Sequence, residues 1–334
     1  MMKINFKKLM IMVVICLMIV FLGALSTLAA AQPRLILRVS HSNTEDHCYH
    51  LGLVGWSEAI DKASNGEIKV EIYSNGVLGD DKDALVGVQM GAIDFCLTNN
   101  GFLPSLIPKL NILNLPYIFK DVAHLYRVCD GGLQAKINEY VEKQNVGFLT
   151  LSCISGGTRC FYTKKPIYKL KDLANLRIRV MENDLYINMV KLCGAKGTPM
   201  PYEEIYTSLQ TGVIDGAEND LGSYYTQKHY EACPYYIFDD HNVDIEFLLA
   251  STKTWEKLSA ADKKILIDAL PAFVKADRKA MEQNEVNMKA ALKKLGITLI
   301  EVDKEEFKKA VMPLWKSATD EYGSELFDII MAIK

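Results

Sequence analysis

Two arginines offer the clearest chemistry in the chain. Arg179 lies in Leu176–Arg177–Ile178–Arg179–Val180–Met181, which alternates apolar and cationic residues with the period of a strand that has one buried face. Arg177 reaches solvent near the strand's start. Arg179 lies deeper and is followed at once by the turn-like Glu182–Asn183–Asp184, where a strand end opens on a crevice. In open α/β sheets, ligands bind at the carboxyl ends of strands. A guanidinium placed there is a fixed, always-charged fork whose natural partner is a carboxylate. An ion pair with a neighbouring Asp or Glu is the plain alternative. Arg159 follows a strand and a Gly156–Gly157 bend. Two guanidiniums converging on one crevice repel unless an anion joins them, and burying one unpaired is expensive.

Downstream lie Thr198–Pro199–Met200–Pro201–Tyr202–Glu203–Glu204–Ile205–Tyr206, then Leu209 to Asn219, then Lys228–His229–Tyr230–Glu231. In this order and spacing the run resembles the solute-binding proteins of TRAP (tripartite ATP-independent periplasmic) transporters. In that family GxR, a DLxxLRIRV strand, TPMxxxExYxxLQTGVxDGxEN and KxYE recur. The resemblance covers essentially the mature chain. It implies a two-lobed α/β, periplasmic-binding-protein-like fold with a long helix bridging both lobes. It also implies that Arg179 clamps a ligand carboxylate, that Arg159 assists, and that Tyr202 packs against the ligand. Asn219 ends the EN element, and its amide both donates and accepts, which suits a ligand carrying carboxylate and hydroxyl together. The family often has Pro after this Asn, whereas Asp220 follows here.

From the first lobe, His41, Asp80 and Asn99 match family positions that meet the ligand's far end. Some sialic-acid receptors carry an acid where Asn99 stands, so that ligand is disfavoured. Glu182 either accepts from sugar hydroxyls or pairs with Arg177 or Arg159. Together these residues suit a hydroxylated acid such as glucuronate or galacturonate, with C4-dicarboxylates and other carboxylates as alternatives. The implied partners are that small acid and the transporter's membrane subunits. A monomer is expected, with no cofactor and no catalysis.

Composition sets the outer limits. The chain has 334 residues, is 49% hydrophobic and 24% charged, and carries a net charge of −3, so nothing favours nucleic acid as a partner. Lys3, Lys7 and Lys8 precede an apolar run from Leu9 to Leu25 and then Ala29–Ala30–Ala31. That is the layout of a secretory signal with cleavage after Ala31 and an extracytoplasmic mature chain. The run is long for a signal, so a retained anchor is the alternative. Seven cysteines follow it: Cys48, Cys96, Cys129, Cys153, Cys160, Cys193 and Cys233. An odd number cannot all pair within one chain, and no CxxC spacing occurs. A Cys153–Cys160 bridge and buried thiols are both compatible with the spacing.

The elements that position these residues follow from pattern. Strands are expected at Arg34–Val39, Glu67–Tyr73 and Ala92–Leu97, alternating with helices over His50–Ala63 and from Gly79 to Gln89, which implies a parallel sheet. A Pro-punctuated loop fills Gly101–Phe119, and a helix is expected from about Asp121 to Lys143. Gly147–Cys153 crosses to the second lobe, and Glu246–Ser251 returns. The division is 32–155 plus 246–284 for the first lobe and 156–245 plus 285–334 for the second. From Ser259 to about Leu295 the chain reads as one helix about 54 Å long, capped by Ser259 and kinked at Pro271.

His41, His47 and His50, with Glu45 and Asp46 between them, invite a second reading as a zinc site in an extracytoplasmic enzyme. His241 follows Asp239–Asp240 and is expected on the surface or at the edge of the cleft. No GxSxG occurs. A sensory role on a receptor kinase is not separable from transport by sequence.

Overall fold

The computed structural model describes Met10 and residues 32–334; apart from Met10, the signal expected over 1–31 lies outside the described residues. The chain opens with β1 (Leu35–Ser40), α1 (Cys48–Ala63), β2 (Ile68–Tyr73), α2 (Asp81–Met90) and β3 (Phe95–Asn99). In α1 the buried Leu53, Trp56 and Ile60 fall on one face, and the His47 ring accepts from the Tyr49 amide at the N-cap. β1 pairs in parallel with β2 and with β3. β10 (Glu246–Ser251) then enters antiparallel between β3 and β4 (Phe148–Ile154), giving the order β2-β1-β3-β10-β4. The sheet is therefore mixed, not wholly parallel as strand–helix alternation implied. The reason is that β10 comes back from the other lobe with its direction reversed.

The second sheet is built from β5 (Thr158–Thr163), β6 (Arg177–Val180), β7 (Lys196–Pro199), β8 (Gly216–Asn219), β9 (Tyr235–Val243) and β11 (Thr298–Glu301), in the order β11-β9-β5-β8-β6-β7. β8 starts three residues later than the apolar Val213–Ile214 suggested. The backbone amides of Val213 and Ile214 both turn back to the Ser208 carbonyl, closing the end of the preceding α6 (Ile205–Thr211) at left-handed Gly212.

Two strand connections and one helix cross between the sheets. β4 runs into β5 through Ser155–Gly157, and β9 runs into β10 through Asp244–Ile245. A Cβ on Gly156 would lie 2.5 Å from the Tyr49 hydroxyl, so only glycine lets the crossing pass there. The helical crossing is α9 (Ala260–Asp268) followed by α10 (Leu270–Lys294). They meet at Ala269, which keeps right-handed helical angles (φ −83°, ψ −15°). Pro271 falls in the first turn of α10, where its missing N–H is least costly. Helix α10 packs on α1 and β4 of the first lobe and on α7 (Leu221–Thr226) and β11 of the second. The α1 contact is close: a Cβ on Gly55 would lie 2.7 Å from the Ala276 Cβ.

The helix expected from 121 to 143 is broken. It forms as α3 (Val122–Val128) and α4 (Gln134–Gln144), with Gly132 at φ 111° in the wide turn between them. The Gly101–Phe119 loop buries Leu103, Ile107, Leu110, Ile112, Leu113 and Leu115 in a core continuous with second-lobe residues such as Ile178 and Tyr186. At the C-terminal end, α11 (Lys304–Val311), α12 (Pro313–Tyr322) and α13 (Glu325–Ala332) lie partly on first-lobe elements. Trp315 Nε1 donates to the Pro116 carbonyl at 2.8 Å, and Arg127 Nε donates to the Lys334 carbonyl at 2.7 Å. No helix among the described residues is long and apolar enough to cross a membrane.

Candidate functional site

The carboxyl ends of β3, β6 and β8 and the loop after β1 turn toward one another across the gap between the sheets. They enclose a small cavity of about 30 Å³, lined by Ser42 and Asn99 from the first lobe and by Arg159, Arg179, Tyr202 and Asn219 from the second. Asp81, Asp244 and Glu246 complete its acidic side.

Arg179 is 1% exposed. Its Nε and Nη2 donate to the Met200 carbonyl at 3.0 and 2.8 Å, which fixes the plane of the guanidinium. No ion pair to a carboxylate is formed at Arg179 among the described residues. Burial pushes its pKa below the ordinary value; Glu218 nearby acts the other way, and Arg159 adds to the lowering. A planar cation anchored on one edge and lacking a counter-ion is suited to an incoming anion.

Arg159 differs. It too is buried, but its Nε and Nη2 grip the Glu218 carboxylate at 2.7 and 3.0 Å, and its Nη1 donates to Asp244 Oδ1 at 2.7 Å. Although burial works against the charge, Glu218 and Asp244 hold its pKa above the ordinary value. The ion-pair alternative thus describes Arg159, and not Arg179. Glu218 is shared further: His241 Nε2 is 3.2 Å from its Oε2, and His241 Nδ1 is 2.7 Å from Asp239 Oδ2. His241 was expected near the surface, yet it is 2% exposed. Burial alone would lower its pKa; Asp239 and Glu218 instead raise it to about 9. Burial likewise opposes ionisation of Glu218, but Arg159 and His241 hold that carboxyl at about 2.

A histidine whose folded-state pKa is raised contributes stability that is full below its unfolded value and lost as pH rises through the folded one. The His241 contribution should therefore be intact at pH 6 and fall away between about pH 6.5 and 9. His241→Gln should flatten that limb of a melting-temperature profile. A wild-type profile with no alkaline fall, or a variant that retains the fall, would contradict the assignment.

The other expected residues divide. Asn219 and Asn99 line the cavity: Asn219 Oδ1 accepts from the Asp220 amide at 2.9 Å, and Asn99 Nδ2 donates to Asp244 and Glu246. Asp220, which stands where proline was the family pattern, caps α7 by accepting from the Ser223 amide at 2.9 Å. Tyr202 is on the cavity wall.

Asp80, His41 and Glu182 are not on that wall. Asp80 is the N-cap of α2, its Oδ1 accepting from the Asp83 amide at 2.9 Å, and its neighbour Asp81 faces the cavity instead. His41 is buried and its Nε2 lies 3.0 Å from His50 Nδ1. Glu182 forms an ion pair with Lys82 across the cleft mouth, so neither Arg177 nor Arg159 is its partner. Arg177 is exposed and pairs with Asp215. His47 turns from the other two histidines toward Asp220, 3.4 Å away, so the three rings do not converge on a common point. The seven cysteines of the described residues are all unpaired, so of the two alternatives for Cys153 and Cys160 the structure has the free thiols and not the bridge.

Sequence reasoning missed Asp81, Asp244, Glu246 and the role of Glu218. Asp81 had one usable signal: once a residue caps a helix its carboxylate is occupied, so the next acid is the free one. Asp244 and Glu246 flank the return crossing, and nothing in their spacing predicts that Asn99 would hold both.

Comparison with known proteins fits this geometry. Residues 39–321 match the family described as bacterial extracellular solute-binding protein, family 7. A solute-binding protein of Chromohalobacter salexigens is 34% identical over 272 residues, covering 81% of this chain and 80% of its own. A TRAP periplasmic solute-binding protein of the same species, solved with bound D-glucuronate, superimposes with a TM-score of 0.84 at 31% identity, covering 89% of this chain and 98% of its own. One from Polaromonas sp. JS666, bound to D-erythronate, gives 0.86 at 30% identity, covering 90% and 99%. Members of this group are solute receptors and not enzymes. A two-lobed α/β frame, a helix bridging the lobes and a cavity between them that holds two buried arginines go with the sequence match: this chain belongs to the family 7 extracellular solute-binding proteins, the receptors of TRAP transporters.

Proposed function

We propose that the protein captures a sugar acid of the uronate or aldonate class outside the cytoplasm and delivers it to the membrane subunits of a TRAP transporter. The observation that carries this is the Arg179 guanidinium, buried at the rim of the second sheet, fixed by Met200 and without a carboxylate of its own. The ligand carboxylate takes that place. Asn219 and Tyr202 lie beside it, and Arg159 acts mainly by holding Glu218 and Asp244 in position. On the far side Asn99, Asp81, Asp244 and Glu246 offer an acid-rich wall. Hydroxyl groups can exchange hydrogen bonds with such a wall, whereas a second carboxylate would find no free cation there, since Arg159 is already held by Glu218 and Asp244, which disfavours C4-dicarboxylates. The D-glucuronate and D-erythronate bound by the two structural relatives share a carboxylate followed by hydroxylated carbons. Contacts made with both lobes stabilise the closed arrangement, and that shift in population is the signal passed to the membrane.

Residues 1–31 supply the export signal in this reading, and N-terminal sequencing of the exported chain would give the cut. The main test is a thermal-shift panel. D-glucuronate, D-galacturonate and D-erythronate at about a hundred times Kd should raise Tm by roughly 5 °C or more, from about 2.7 kcal/mol of linkage. D-glucose, D-galactose and succinate should leave it nearly unchanged. Equal stabilisation by the neutral sugars, or none by any acid, would refute the proposal.

A further inference from the structure

The acids of the cavity carry more than hydroxyl recognition. Asp244 has partners that suit an anion: Arg159 Nη1 at 2.7 Å and the Tyr49 hydroxyl at 2.5 Å. Glu246 is 7% exposed, and its Oε1 receives the Asn99 amide at 3.0 Å, the same amide that donates to Asp244 at 2.8 Å. Asp81, the first residue of α2, is half-buried but ringed by protein. It faces Ser42 from its own lobe, Asp80 beside it, and Glu203 and Arg179 from the other lobe. Glu203 reaches across the gap: a Cβ on Gly76 would lie 2.9 Å from its Oε1. Of the two guanidiniums at the cavity, Arg159 is bound to Glu218 and Asp244, and Arg179 is the seat for the ligand. Asp81 and Glu246 are thus two carboxyls facing mainly other acids, with no ion pair to a cation formed at either among the described residues.

Resting on the sugar-acid reading above, we propose that Asp81 and Glu246 are specificity-determining contacts that meet the ligand's hydroxylated end as neutral carboxylic acids, so that closure on the ligand takes up a proton from solvent. A neutral carboxyl donates one hydrogen bond and accepts others, which matches the mixed donors and acceptors of a polyol. A carboxylate can only accept. Two elements make the proton demand conditional on closure. Separating the lobes would withdraw Glu203 and admit water to Asp81; bringing them together reverses both. A ligand carboxylate on Arg179 then neutralises the cation that otherwise opposes protonation.

The direction of the shifts agrees. Burial, then Glu203 and Asp80, push Asp81 up to about 7, against Ser42 and Arg179. Burial, then Asp244 and Asp81, push Glu246 well above the ordinary carboxyl range, with the Asn99 amide and Arg159 acting the other way. The sign follows: a group whose pKa rises on closure favours the closed state as pH falls, and this advantage disappears as pH rises through the closed-state value.

The test is calorimetric titration of the full mature chain with D-glucuronate, which stays ionised throughout, from pH 5.5 to 8.5 in phosphate and in Tris. With Asp81 titrating near 7, one linked proton should weaken Kd about thirtyfold from the acidic to the alkaline end. The heat should also differ between the two buffers by an amount corresponding to proton uptake near neutral pH. Asp81→Asn should flatten the profile. A Kd constant within about twofold in wild type, with the same heat in both buffers, would overturn the inference while leaving the ligand assignment intact. A profile unchanged in Asp81→Asn would remove Asp81 from it. If no sugar acid binds at any pH, the ligand assignment fails first and this inference with it.

Discussion

Arg179→Lys is expected to weaken D-glucuronate binding about a hundredfold, roughly 3 kcal/mol, while leaving the unliganded melting temperature close to that of wild type. The charge is kept, so a purely electrostatic account of the site would forecast little loss. Geometry argues otherwise. One edge of the Arg179 guanidinium is bound to the Met200 carbonyl through two N–H groups, and this sets the direction in which the remaining donors point. A lysine ammonium cannot hold that carbonyl and also present a flat pair of donors to a carboxylate. Arg179→Gln, which removes the charge as well, should lose more, about a thousandfold. Calorimetry on both variants provides the check. If the lysine variant binds within threefold of wild type, or if neutral sugars gain affinity in step, the carboxylate is not seated on this side chain.

The second large effect concerns stability. Arg159→Met should destabilise the folded protein by about 3–5 kcal/mol, because it leaves Asp244 without its cation and Glu218 with His241 alone while both acids stay buried. At roughly 2–4 °C per kcal/mol, Tm should fall by about 10 °C. The loss should also depend on pH. In the wild type Glu218 stays ionised down to about 2. Without the arginine its carboxyl should accept a proton far more readily, and the protonated form is cheaper to bury. The gap between variant and wild type should therefore narrow as pH falls from 7 toward 5. A variant as stable as the parent at pH 7, or a gap that widens on acidification, would show that the network is not holding these charges. The contrast with Arg179 is useful. Two buried arginines in one cavity are expected to fail in different assays, one in affinity and the other in melting.

Much of this was legible in the sequence, and the reasons differ by residue. Alternation in Leu176–Met181 placed Arg179 on a strand face and at a strand end, because period and turn residues are local properties. The same logic located β1, α1, β2 and the Ser259 cap within a residue or two. It read Gly147–Cys153 as the crossing strand and Glu246–Ser251 as the return, whereas both strands lie in the first sheet and the chain crosses in the short segments beside them, Ser155–Gly157 and Asp244–Ile245. What escaped was non-local. Nothing near β10 announces that it pairs antiparallel with both β3 and β4. His241 reads as an ordinary polar residue until β9 and β5 bring Asp239 and Glu218 to either side of it. Likewise Asp80 and Asp81 are alike in sequence. Only the start of α2 decides that one caps a helix and the other faces the cavity.

The unpaired thiols have a practical consequence. Six of the seven are buried, and Cys129 is half-buried. Cys48 and Cys96 lie in the first lobe, Cys160, Cys193 and Cys233 in the second, and Cys153 at the strand that leads between them. No covalent cross-link among the described residues ties the halves together. Each of the six buried sulfurs is thus a native reporter whose alkylation requires its own neighbourhood to open. Mass spectrometry of the modified peptides can follow the breathing of each half separately, with no engineered label.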